Sequence, residues 1–141
     1  VSQLRALFPA PYVSVSSERG FVGRFVQLLN MRPPNPEMMV ATMSGGNQQK
    51  VVIAKCLATL PNILIMDEPT RGIDVGAKAE IYGLIHRLAE EGKGVIVVSW
   101  DLPESLAVSD RIIVMNKGRI YADLPASEAG EENIMAHCCA P

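Results

Sequence analysis

The chain has 141 residues, enough for one domain with a single core. Its 48% hydrophobic and 20% charged content is that of an ordinary globular protein, and a formal net charge of -2 argues against a nucleic-acid surface. No apolar run approaches the ~20 residues of a membrane-spanning helix, so any link to a membrane is expected to run through a partner.

The opening Val1-Ser2-Gln3 has no initiator Met and no signal-peptide pattern, which suggests a piece of a longer reading frame. Residues 1 to about 42 read as a separate unit. Within it, Ser17 precedes Glu18 and the apolar set Phe21, Val22, Phe25, Val26, Leu28 and Leu29, a helical spacing with an amino-terminal cap. The stretch Asn30 to Pro36 then forces a turn, because its three prolines cannot continue a helix.

From Met43 the pattern becomes alternating helix and strand. Asn47 to Leu60 carries Val51, Ala54, Leu57 and Ala58 at helical spacing, and Pro61-Asn62 stops it. Cys56 falls in this pattern and is expected in the core, while Lys50 and Lys55 are expected on solvated positions. Ile63 to Met66 predicts a buried strand. Gly76 to Glu91 predicts a helix with Ile81, Leu84, Ile85 and Leu88 on one face, and Gly92 suits the left-handed position beyond its end. Gly94 to Ser99 is a second strand, and Asp101 can cap a short helix with Pro103 in its first turn. Arg111 to Met115 and Ile120 to Asp123 flank Asn116-Lys117-Gly118, a hairpin signal. Ser127 to His137 predicts a closing helix. His137 beside Cys138 and Cys139 reads as a frayed tail, since no second ligand cluster closes a metal site. Three cysteines without a framework fit a reducing compartment. Strands alternating with such helices imply an α/β fold with a mostly parallel sheet covered on both faces, and ligands at the carboxyl ends of its strands.

Two features carry chemistry. The first strand runs into Asp67-Glu68-Pro69. Alternation sends the two carboxylates in different directions, so one can serve a magnesium ion while the other orients or deprotonates an attacking water; for the pair alone, a solvated turn after a strand is the plainer account. The second is Ser44-Gly45-Gly46-Asn47-Gln48-Gln49, which opens a helix. Helix starts expose unpaired amides and favour anions, and two glycines let a phosphate approach; a serine cap with a flexible approach is the plainer account.

Taken together, these segments resemble a known family. MSGGNQQKVVIAK resembles the signature segment of ATP-binding-cassette ATPases, in the form seen in sugar importers of the ribose, galactose or xylose kind. ILIMDEP resembles their Walker B strand. TRGIDVGAK, residues 70 to 78, resembles the D-loop and following helix of the second cassette in those importers. SDRIIVMNKGRI, residues 109 to 120, resembles the hairpin that follows.

The resemblance implies a partial P-loop NTPase (RecA-like) fold: residues 1–42 the end of the helical subdomain, residues 43–141 the carboxyl-terminal part of the cassette core. It implies ATP and Mg2+ as cofactors. Ser44, Gly45, Gly46 and Gln48 would meet the γ-phosphate bound by an opposing cassette, Asp67 would serve magnesium, Glu68 would be the general base, and Asp74 would contact across the dimer. It further implies integral membrane permease subunits, indirectly a periplasmic sugar-binding protein, no nucleic acid, and a peripheral position on the cytoplasmic face of the bacterial inner membrane.

Two departures stand out. G-x-x-x-x-G-K-[ST] does not occur, so the chain alone is expected to bind ATP more weakly than ~100 μM. Trp100 stands where the family usually has a histidine, and it offers a single N–H donor; packing at the sheet edge is as good an account of it as a nucleotide role. His86, mid-helix, is not expected to replace that histidine. Arg71 can serve either a dimer contact or the surface. Two other functions remain in view: a non-catalytic module lending its signature to a partner's ATP, and a DNA-repair or chromosome-associated ATPase, which the missing heptads of residues 1–42 and the acidic balance disfavour.

Overall fold

The computed structural model describes residues 14–138, so Cys139 and the start of the amino-terminal unit lie outside the described residues. The elements are α1 (Val15–Leu28), a 3₁₀ turn (Val40–Thr42), α2 (Gly45–Leu57), β1 (Ile63–Asp67), α3 (Val75–Glu90), β2 (Gly94–Val98), α4 (Leu102–Val108), β3 (Arg111–Asn116), β4 (Arg119–Pro125) and α5 (Glu131–Cys138).

Helix α1 begins at Val15, so Ser14 rather than Ser17 takes the cap position. The Ser14 hydroxyl bonds Ser16 Oγ at 2.7 Å instead of a helix amide. Helix α2 begins at Gly45, two residues before the sequence pattern, and its buried stripe is Gly46, Lys50, Ile53 and Leu57. That stripe follows i, i+4, i+7, i+11 spacing. It leaves Cys56 exposed, correcting the expectation of a core cysteine.

Strands β1 and β2 pair in parallel, from Ile63 opposite Gly94 to Asp67 opposite Val98. The crossover through α3 brings both carboxyl ends to one edge. Ile81, Leu84, Ile85 and Leu88 of α3 are buried, as their periodicity requires, and share a core with Leu64, Met66, Ile53 and Leu57. Val26, Leu29 and Met31 join the same core, so it runs continuously across residue 42.

The expected cover on both sheet faces is not what the described residues form. Leu64 and Met66 are buried, whereas Ile63, Ile65, Ile96 and Val98 are exposed. A short continuous apolar run hides this alternation, since apolar residues occupy both faces.

Strands β3 and β4 form a separate antiparallel hairpin. Lys117 and Gly118 turn it with φ of 48° and 75°, the double positive φ of a tight hairpin turn. Ile112 and Val114 pack with Ile134 of α5 in a second, smaller core.

Candidate functional site at the strand ends and the start of α2

Ser44, Gly45 and Gln48 are exposed at the start of α2, and Gly46 is buried. The first intrahelical bond runs from the Gln48 amide to the Ser44 carbonyl at 2.9 Å. The amides of Gly45, Gly46 and Asn47 therefore have no partner within the helix. The Ser44 hydroxyl caps none of them; it accepts from Asn47 Nδ2 at 3.1 Å. Gln48 bends back, its Nε2 donating to the Met43 carbonyl at 2.9 Å.

Gly46 has a steric role that sequence reasoning missed. A Cβ there would sit 2.7 Å from Ala77 Cβ, so α2 and α3 approach more closely than any side chain allows. At Gly45 a Cβ would lie an ordinary 3.5 Å from the Gly72 carbonyl oxygen. The start of α2 is thus seated on the Gly72–Ala77 segment. Asp74 in that segment caps α3, its Oδ1 accepting from the Ala77 amide at 2.9 Å.

Behind this helix start, Lys50 corrects another expectation. It is 6% exposed rather than solvated. Its ammonium donates to the Asn30 carbonyl at 3.1 Å and pairs with Glu80. Asn47 Nδ2 donates to the Arg32 carbonyl at 2.7 Å, so two polar residues of α2 clasp the 30–32 turn. The Lys50 hydrogen bond holds the Glu80 carboxyl below the usual carboxylate range.

Asp67 is exposed at the tip of β1, lining one shallow pocket with Gln49 and Val52 of α2, and its carboxylate has no hydrogen-bond or ion-pair partner among the described residues. Glu68 is half-buried and takes the left-handed conformation, φ 48°. That conformation is uncommon away from glycine and is found where surrounding bonds impose it. Here the Glu68 amide donates to the Val98 carbonyl at 2.8 Å, and Glu68 Oε1 accepts the Trp100 amide at 2.8 Å. The two carboxylates face different surroundings at one strand edge, and the left-handed turn at Glu68, not strand alternation, sets them apart.

Trp100 is 92% exposed, so it does not pack at the sheet edge. Its neighbour Asp101 caps α4 through the Glu104 amide at 3.2 Å and pairs with Lys78 at 2.7 Å. That pairing raises the Lys78 pKa and lowers that of Asp101. Glu104 is buried and bonds both Thr70 and Ser99, a cluster the sequence reading did not single out. His86 and Arg71 are exposed, and only the backbone of Arg71 joins the site, its amide donating to the Glu68 carbonyl at 3.2 Å.

A family model described as ABC transporter matches residues 15–71. The ribose import ATP-binding protein of Caldanaerobacter subterraneus is 52% identical over 123 residues, 87% of this chain and 25% of that protein. The xylose import ATP-binding protein of Histophilus somni is 50% identical over 118 residues, 84% of this chain and 23% of that protein. The chain thus spans about a quarter of the length of the curated relatives it matches. Among solved structures, the dimeric post-hydrolysis state of the ATP-binding cassette MJ0796 bound to ADP and Pi is similar with a TM-score of 0.72 at 26% identity, covering 88% of this chain and 54% of that one. A second dimeric structure of that bacterial ABC transporter cassette gives a TM-score of 0.71, covering 83% of this chain and 50% of that one. With relatives about half identical over most of its length and the architecture of a solved cassette, the chain is similar to the ATP-binding proteins of ABC transporters.

Proposed function

We propose that the chain is part of the ATP-hydrolysing subunit of a bacterial carbohydrate importer, coupling ATP hydrolysis to sugar uptake through a membrane permease. The observation that carries this reading is the strand edge, where an exposed Asp67 and a held Glu68 emerge side by side. Relatives named as ribose and xylose import proteins support the sugar. No helix among the described residues is long and apolar enough to cross a membrane, which fits a subunit that meets its permease peripherally, at the cytoplasmic face.

The residues present fit the cofactors. Magnesium is typically held by one or two carboxylates, with phosphate and water completing its shell. An exposed, unpartnered Asp67 suits that, and the described residues hold no cluster of three or more metal-ligating side chains to compete. When bound, Mg2+ neutralises charge on the phosphate oxygens. Glu68 is the general base: it accepts the proton of the attacking water at Oε2, the oxygen to which the Trp100 amide does not donate. Ser44, Gly45 and Gln48, with the amides of Gly45 and Gly46, meet the γ-phosphate held by an opposing cassette. Asp74 contacts that cassette from the cap of α3. Residues up to 42 are assigned to the helical subdomain and the rest to the cassette core. A periplasmic sugar-binding protein acts indirectly.

Trp100, exposed where the family usually has a histidine, favours a second reading. In it the segment lends Ser44–Gln48 to a partner's ATP and Glu68 turns over nothing. Replacing the matching stretch of the Caldanaerobacter ribose import ATP-binding protein with residues 15–138 tests both readings. The first expects Mg-ATP hydrolysis by the graft within tenfold of the parent. An inactive but folded graft contradicts it. Nucleotide titration of the chain alone is expected to give a Kd weaker than ~100 μM, and micromolar binding would count against the sharing of one ATP between two polypeptide segments.

A further inference from the structure

Glu104 is 1% exposed, a carboxylate that burial would penalise heavily without partners. Its Oε1 accepts the Thr70 hydroxyl at 2.6 Å and its Oε2 the Ser99 hydroxyl at 2.5 Å. Thr70 follows Glu68 by two residues along the chain, and Ser99 precedes Trp100 by one. The Trp100 amide in turn reaches Glu68 Oε1 at 2.8 Å. A closed circuit results, running from Glu68 through Thr70, Glu104, Ser99 and Trp100 back to Glu68.

The spacing Asp101-Leu102-Pro103-Glu104 is that of a capping box, in which the glutamate would reach back to the cap amide. The circuit displaces that arrangement. The Asp101 amide donates to Ser99 Oγ at 3.0 Å, which frees the Glu104 carboxylate to turn inward. Glu68 needs such support, because its left-handed conformation is held by the Val98 carbonyl on one side and by this circuit on the other.

We infer that Glu104 is a positioning residue for hydrolysis: its buried carboxylate ties the loops after β1 and β2 together and so sets the direction of Glu68. The inference rests on the reading of Glu68 as general base. Its test separates the two. In the isolated chain, without nucleotide, hydrogen exchange of the Trp100 amide is measured in E104Q and S99A beside the unaltered protein. The Trp100 amide is expected to exchange at least tenfold faster, while the β1–β2 amides of Leu64 and Met66 stay within threefold. In the graft, E104Q is expected to lower kcat about tenfold with KM within twofold. Unchanged Trp100 exchange in both variants overturns the inference, as does uniform loosening of the ladder. Faster Trp100 exchange with unchanged kcat removes the catalytic part of it. If instead E68Q leaves the graft's kcat intact, the general-base reading fails, and the exchange data still report on the circuit.

Discussion

The start of α2 and the end of β1 are the two motif-bearing regions, and they are held by opposite means. At α2 the backbone is fixed by contact: Gly46 lets Ala77 press where a Cβ would overlap it. At β1 it is fixed by polar bonds: Val98, Trp100 and the Glu104 circuit restrain Glu68 and the turn after it. A site for a phosphate needs bare amides at a helix start, so packing from behind leaves them free. A site for an ionised base needs its charge satisfied and aimed, which calls for donors. The first region should therefore fail by volume and the second by loss of a hydrogen-bonding partner.

The largest expected effect is at the packed glycine. G46V should cost about 3 kcal/mol in urea unfolding, since a branched side chain is forced against α3. The double variant G46A/A77G should recover most of the loss of G46A alone. If only phosphate approach required the glycine, G46A would instead gain up to ~1 kcal/mol of helix propensity. Next comes T70V, which keeps volume and removes the hydroxyl from a buried carboxylate oxygen. It should cost about 2 kcal/mol by the same measurement, and an effect under ~0.5 kcal/mol would mean that Thr70 holds nothing.

The smallest effect is a pH dependence. Lys50 lowers the pKa of Glu80 and Lys78 lowers that of Asp101 in the folded chain. Stability from these pairs is present above the ordinary carboxylate value of about 4 and is lost as pH falls below it toward the folded values. Urea midpoints from pH 6 down to pH 2.5 should show this decline, and E80Q should flatten part of it.

Much of this was legible in the sequence, for physical reasons that differ by residue. Gly92 and the Lys117-Gly118 turn were readable because positive φ restricts residue choice. Asp101 was readable as a cap because its side chain serves its own helix. Lys50 and Glu104 were not, because Glu80, which pairs with Lys50, and Thr70, which bonds Glu104, lie 30 and 34 residues away in sequence. A charge in a helical pattern reads as solvated unless those partners are known. Cys56 misled for a related cause: α2 buries the stripe through Gly46 and Lys50, and a glycine and a lysine give no apolar signal for its direction.

Whether Glu68 is the base of an ATP-hydrolysing site is decided by E68Q within the graft. A fall in kcat of at least ~100-fold is expected, with KM changed less than threefold, because the amide keeps the Trp100 bond but cannot accept the proton of water. A kcat within twofold of the unaltered graft would contradict that role.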